Sequence, residues 1–553
     1  MTKKYLPLLS IIVVLGLMLA ACAPAAQPTA APVEEAAPAE QAEAPEEAPA
    51  VEEAPAEEAA PAEESAETSV LNIAIGTNID SFDPHGISSF AVANVIDYMV
   101  ETLVNADENG DLIPALAENW EVSEDGLEYT FYLVQNATFS DGTPFNAEAV
   151  KANVERFLDE DVKTAGKVPY NHIQEVVVVD DYTVKFLADG PSSELLLSLS
   201  NTNIGMLSPQ QIAPGTELYT SLGTTEPIGT GPYVMKEYVA DDHVTVTRNA
   251  NYWGEPPYYD EVNFRIVPDA ATRESLMLAG QVDMAVLPPL TDLPALEANP
   301  DVQVIKAATN RIIYIGINVT NDYLNDPKVR QALNYAVDQD AIVEKVLWGN
   351  AKPLVSPMPE AFYGFCETEP YYAYNPDMAR ELLAEAGVPE GFTVKFISPT
   401  GRYAQDYQVS QAIAGYLEDV GITVELSTTD WGSYMGQVMA PAEESDYDLY
   451  LLGWAGGYPH GSHTMTVLKT GNPFNGGFYS NPEVDELSAL ADAASDYEEG
   501  ESIYCDVNQV IWDDAPWIFL YQQDYQVIAK PDLTNIKILP SEKFDALYAR
   551  PAE

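Results

Sequence analysis

A chain of 553 residues exceeds a single ordinary hydrophobic core, which predicts two or three domains. Its 46% hydrophobic and 20% charged residues describe a largely globular protein. A formal net charge of -62, with only 25 lysines and arginines, excludes nucleic acid as a partner, because that role needs a basic stripe to displace counterions.

In chain order, Lys3 and Lys4 precede an apolar run from Leu6 to Ala21, the charged start and short hydrophobic stretch of an export signal rather than a membrane span. Ala20 and Ala21 stand directly before Cys22, which resembles the lipobox of bacterial lipoproteins. That resemblance implies a signal peptide over 1–22, lipid attachment at Cys22, and a mature protein tethered outside the cytoplasmic membrane or in the periplasm. The alternative is an ordinary secretory signal with an incidental cysteine. Residues 23–68 are almost wholly Ala, Pro and Glu, with thirteen glutamates and no lysine or arginine. Such a segment cannot bury a core and repels itself, so it reads as an extended, disordered stalk, reaching on the order of 140 Å at full extension.

The globular part opens with an alternating strand at Leu71 to Ile75, a turn-rich loop through Ser81, Phe82 and His85, and a helical pattern from Ala91 to Leu103. Two strands, around Trp120–Val122 and Tyr129–Leu133, flank a Ser-Glu-Asp-Gly turn. Asn146 then caps a helix carrying Val150, Val154 and Phe157. Thr272 to Val286 reads as helix, glycine turn and strand, and Asp326 with Pro327 opens another helix that Gly349 ends. Leu449 to Leu452 is a short buried strand, followed by a loop holding Trp454, Gly457, Tyr458, His460 and His463 among four glycines. By itself that loop fits either a packed hairpin end or a surface built to meet a ligand. The two further cysteines, Cys366 and Cys505, lack CxxC spacing; a disulfide suits the exported compartment better than a metal site.

The segment LAENWEVSEDGLEYTFYLVQNATFSDGTPFNAEAV, Leu116 to Val150, resembles the signature region of the family 5 extracellular solute-binding proteins, which serve dipeptide, oligopeptide and nickel ABC importers. IGTGPYVMKEY (Ile228–Tyr238), RNANYWG (Arg248–Gly254), NDPKVRQALNYAVDQDAIVEKVLWGNAKP (Asn325–Pro353) and DAPWIFLY follow in the family's order. The resemblance implies a two-lobed α/β hinged fold of the periplasmic-binding-protein type (type II) with an extra subdomain. Carried onto this chain, lobe I takes 69–115, 226–320 and 516–553, the extra subdomain 116–225, and lobe II 321–515. It further implies a monomer that closes on a peptide or other small solute and docks on ABC permease subunits, without cofactor or catalysis.

In peptide-binding relatives the loop matching Gly453 to His463 has a Gly-Trp pair and then, after two intervening residues, an aspartate that pairs with the ligand ammonium. Here that position is Gly457, so another carboxylate substitutes or the ligand is not a simple peptide. Trp454 and Trp431 match aromatic walls of the cleft, with Tyr458 beside them. Arg402 stands between a strand and a helix, placed either to grip a ligand carboxylate or to make a salt bridge in this acidic lobe. Phe82 and His85 are candidates from the opposite lobe. His460 and His463, with His85 across the cleft, match the chemistry of a nickel chelate, although as loop histidines they read first as hydrogen-bonding residues. Oligosaccharide is a further ligand class that aromatic walls suit. No GxSxG elbow, HExxH or Cys-His arrangement points to an extracellular hydrolase.

Overall fold

The computed structural model describes residues 68–79, 81–86, 90–162, 168–216 and 225–552. The expected export signal, the Cys22 lipidation site and the stalk up to residue 67 lie outside the described residues.

Alternating and near-continuous apolar runs give strands that assemble into one eleven-stranded mixed sheet. At one end lie Tyr233–Val239, His243–Arg248, Glu261–Ile266, Val70–Ile75 and Met284–Val286, with Val70–Ile75 parallel to both of its neighbours. At the other end Thr393–Pro399 runs parallel to Thr423–Thr429 and Leu449–Trp454. Two long antiparallel strands, Gln303–Ile317 and Trp517–Ala529, join the two ends. Separate hydrophobic cores flank them: Leu71, Ile73, Phe264 and Val527 belong to one, and Ile313, Ile315, Leu333 and Phe396 to another. Each such apolar side chain, fully buried, contributes about 1.5–3 kcal/mol relative to exposure.

The joining strands carry the irregularity that matters for the site. Pairing runs from Gln303 opposite Ala529 to Ala308 opposite Asp524, then breaks before resuming at Ile312 opposite Gln522. Thr309, Asn310 and Arg311 fall in this bulge, and a bulge re-aims side chains that a regular ladder would hold to alternate faces. All three are buried polar residues.

A four-stranded antiparallel sheet, ordered Ala117–Val122, Glu128–Leu133, Thr183–Ala188, Ile173–Asp180, packs with helix Ala147–Leu158 around Phe131, Phe145, Phe157 and Phe186. Asn146 caps that helix through Ala149 N at 3.0 Å, as its sequence position predicts. Asp326 likewise caps Pro327–Ala336. That helix is shorter than the pattern implies, because Asp338 opens a second one, Gln339–Lys345.

The helical pattern over Ala91–Leu103 holds only for Phe90–Ile96. Beyond it, Met99 O accepts from Gly231 N and Tyr98 O from Tyr233 N, so tertiary pairing draws the chain out of the helix. Gly229 permits this approach: a β-carbon there would lie 2.2 Å from Met99 O. Cys366 and Cys505 are joined in a disulfide, their Cα atoms 5.3 Å apart.

Candidate functional site

A cavity of about 680 Å³ opens where the two ends of the sheet face each other, within the size range of small-molecule sites. Thr77, Phe90 and Glu542 wall one side, and Arg402, Tyr403 and Gln405 the other.

Arg402 owes its place to the turn after strand Thr393–Pro399. Gly401 takes φ +75°, and the Asp406 carboxylate accepts the backbone N–H groups of Arg402 at 2.8 Å and Tyr403 at 3.2 Å, fixing the loop at the start of helix Asp406–Asp419. The Arg402 guanidinium lies 5.0 Å from the ring centres of both Tyr403 and Trp431. Those two rings meet edge to face at 6.0 Å, and the Tyr403 hydroxyl donates to Gly453 O at 3.2 Å. The salt-bridge reading of Arg402 is not met: among the described residues no carboxylate lies within ion-pair distance of it. It is exposed, oriented by aromatic faces, and available to a ligand anion.

Arg311, from the bulge, is its counterpart that sequence reasoning missed. It forms a bidentate pair with Glu542, Nε to Oε1 at 2.7 Å and Nη2 to Oε2 at 2.5 Å, both side chains nearly buried. This pair satisfies its own charge and gives the cavity a rigid polar wall rather than a free cation.

The glycine-rich loop lies beside this cavity. Trp454, expected as a wall, donates its Nε1 to His463 O at 2.6 Å and packs on Phe474 at 5.4 Å, bracing its own loop. It lines neither this cavity nor the smaller one that Gly457 and Tyr458 border. Gly457 faces the opposite side of the cleft at close range: a β-carbon there would sit 2.3 Å from Asn201 Nδ2 and 3.6 Å from the Phe90 ring. An aspartate at this position would therefore displace the Asn201 amide.

Tyr458 is buried with its hydroxyl on Glu194, which also accepts from Ser462 Oγ at 2.7 Å. Burial works to raise the Glu194 pKa, but nearby His460 and the two hydroxyls outweigh it and hold the carboxyl below its ordinary range. His460 is fully buried, stacked on Tyr363, with Nδ1 accepting from Ser462 N at 3.2 Å and Nε2 3.1 Å from Ser193 Oγ. Burial pushes its pKa down to about 4 despite Glu194, so it is a neutral, structural imidazole at neutral pH. His463, also depressed by burial, leaves Nε2 without a partner among the described residues. Glu194 and Ser193 thus tie the four-stranded unit to the loop.

Phe82 and His85 are corrected by the structure. Phe82 is wholly buried against Tyr238 at 5.0 Å. His85 is wholly buried too, receiving Arg156 Nη1 on Nδ1 at 2.8 Å and lying 3.1 Å from Gly205 O through Nε2. Both stand in the core because the loop turns inward to bring Asp83 onto Arg156. His85 consequently never meets His460 and His463, and the cross-cleft histidine set does not assemble.

Comparison with known proteins agrees with this architecture. Residues 111–476 match the family described as bacterial extracellular solute-binding proteins, family 5 Middle. The chain is 32% identical over 479 residues to the glutathione-binding protein GsiB of Pectobacterium atrosepticum, covering 85% of this chain and 92% of that one. The fold is similar to the Helicobacter pylori periplasmic binding protein DppA in complex with peptide STSA, with TM-score 0.70, 26% identity, and coverage of 86% and 97%. It is also similar to NikZ of Campylobacter jejuni in complex with Ni(L-His), with TM-score 0.72, 25% identity, and coverage of 85% and 95%. On this match and this fold, the chain belongs to the family 5 bacterial extracellular solute-binding proteins.

Proposed function

We propose that this solute-binding protein of an ABC importer captures a short peptide or peptide-like solute by a carboxylate, and that Arg402 is the residue that receives it. The observation carrying this reading is the Arg402 guanidinium, held between Tyr403 and Trp431 at a cavity wall with no protein carboxylate at ion-pair distance among the described residues. In so acidic a chain an arginine left unpaired is available for a ligand anion. The GsiB relative binds glutathione and the DppA neighbour holds a peptide, both solutes with free carboxylates.

The lobes in this reading are 69–115 with 226–320 and 516–553, and 321–515, with 116–225 as the extra subdomain. Ligand contacts on both walls favour the closed population, and that form delivers the solute to permease subunits in the membrane. The exported chain, as a monomer anchored through Cys22, works at the outer face of the cytoplasmic membrane or in the periplasm.

Native mass spectrometry of the purified protein, with thermal-shift measurements on glutathione and on di- to hexapeptides, tests the assignment. A carboxylate-bearing peptide-like ligand that stabilises the protein is the expected result. A co-purified nickel chelate or oligosaccharide, with no shift from any peptide, overturns it.

A further inference from the structure

The segment that leads from strand Thr183–Ala188 into the short helix Leu195–Ser198 faces two ways. One side anchors it to the four-stranded unit: Ser192 O accepts the Tyr129 hydroxyl at 3.0 Å, Ser192 Oγ accepts Leu195 N at 3.2 Å, and Leu195 and Leu199 are buried in that unit's core. The other side reaches the glycine-rich loop and the end of helix Pro482–Asp492. Ser193 N donates to Asp492 O and Ser193 Oγ to Ala491 O, both at 3.0 Å. With that hydroxyl proton used, and His460 Nδ1 accepting from Ser462 N, the imidazole proton lies on Nε2 and is donated to Ser193 Oγ. Glu194 Oε1 accepts the hydroxyls of both Tyr458 and Ser462. Leu197 adds an apolar side chain, buried in the cluster that holds Tyr458, Met465 and Trp512.

The chemistry of this contact is that of a joint that can part. A permanent seam between two parts of a chain is large and apolar, because water cannot satisfy such faces once they separate. Here the partners are hydroxyls, an imidazole, a carboxylate and backbone carbonyls, all groups that water satisfies, and Ser193 and Glu194 are only half-buried. The free-energy difference between joined and parted forms is therefore small. That is the condition for a two-state element whose population a ligand can shift.

The loop that Glu194 holds is also tied to the Arg402 cavity. Gly453 O, at the start of the loop, accepts the Tyr403 hydroxyl at 3.2 Å, and the Tyr403 ring lies 5.0 Å from the Arg402 guanidinium. Loop, Tyr403 and Arg402 thus form one connected piece, and Glu194 grips it from the four-stranded unit.

We propose that residues 191–198 of the extra subdomain are a latch on the closed form, with Glu194 as its positioning residue. Closure on a solute brings Glu194 Oε1 onto the Tyr458 and Ser462 hydroxyls, and release requires those bonds to part. The proposal rests on the reading of the chain as two lobes that close on a carboxylate-bearing solute at Arg402.

Hydrogen exchange of the full chain, read by mass spectrometry on 191–198 and 458–464, tests it with and without trialanine in the wild type, Glu194→Ala and Glu194→Gln. Without ligand, both segments of the wild type are less protected than strand Gln303–Ile317 by roughly tenfold or more. Glu194→Ala lowers the protection of both by about a further tenfold and leaves that strand unchanged, while Glu194→Gln, which keeps Oε1 as an acceptor, stays within about twofold of the wild type. Trialanine protects both segments of the wild type. In calorimetry Glu194→Ala weakens trialanine and trialanine amide by the same factor, because it acts on closure and not on the carboxylate. Protection of the two segments equal to that of the strand in the unliganded wild type, or loss of protection in the strand alongside them in Glu194→Ala, overturns the latch and makes the contact a fixed part of the fold. Trialanine that binds without protecting either segment also overturns it, while the Arg402 reading stands. Absence of trialanine binding overturns the peptide reading, and the unliganded exchange then decides the latch by itself.

Discussion

Arg156 and Arg402 carry the same charge in the same acidic chain, yet their surroundings differ in every respect that decides a role. Arg156 is 1% exposed and closed off by Asp83, through bonds of 3.0 and 2.5 Å, and by His85. Arg402 is exposed, touches aromatic faces, and has no carboxylate partner among the described residues. A charge whose partners are supplied by its own fold is structural, and one whose partner is missing is available to a ligand. The comparison places His85 and Phe82 in the core and leaves Arg402 as the residue proposed for recognition.

The largest effect expected follows from breaking the closed group. Arg156→Ala leaves Asp83 buried without its cation and destabilises the protein by about 3–5 kcal/mol, measured by denaturant unfolding. Ligand affinity of the fraction that remains folded is unchanged.

A second test uses the buried His460, whose pKa of about 4 lies below the unfolded value near 6.5. The unfolded chain binds the extra proton between those values, so this contribution is complete above pH 6.5 and is lost as pH falls toward 4. Over that window it amounts to about 3 kcal/mol at most by linkage. Glu101 and Asp492, raised by burial to about 6, pull the opposite way but cancel in the difference between wild type and His460→Asn, which reads His460 together with the Glu194 carboxyl coupled to it. Unfolding curves from pH 7 to pH 4 show the wild type losing stability faster than the variant.

Arg402→Ala acts on the other side of the comparison. Affinity for a carboxylate-bearing peptide falls by about 2 kcal/mol, roughly thirtyfold, in calorimetry, while unfolding shifts by less than about 0.5 kcal/mol. The smallest effect belongs to Trp454→Phe, which keeps the packing on Phe474 and loses the Nε1 bond to His463 O. It costs about 1 kcal/mol of stability, with ligand affinity nearly unaltered.

Local rules made much of the fold legible. Asn146 and Asp326 cap helices where their spacing says they do, and the run at Leu449 forms the strand Leu449–Trp454. Arg402 was legible as a loop cation between strand and helix. What defeated the sequence is contact between distant segments: Asp83 and Arg156 are 73 residues apart, and Arg311 and Glu542 are 231 apart. Nothing near His85 announces that an arginine will enclose it. Gly457 read as a missing carboxylate; only Asn201, brought from the opposite wall, explains why the position is bare.

The most direct test of the account compares the affinity of the wild type for trialanine and for trialanine amide by calorimetry, with Arg402→Ala as control. The free carboxylate binds roughly tenfold or more tightly than the amide, and Arg402→Ala removes the preference. Equal binding of the two by the wild type, or a preference that survives in Arg402→Ala, contradicts it.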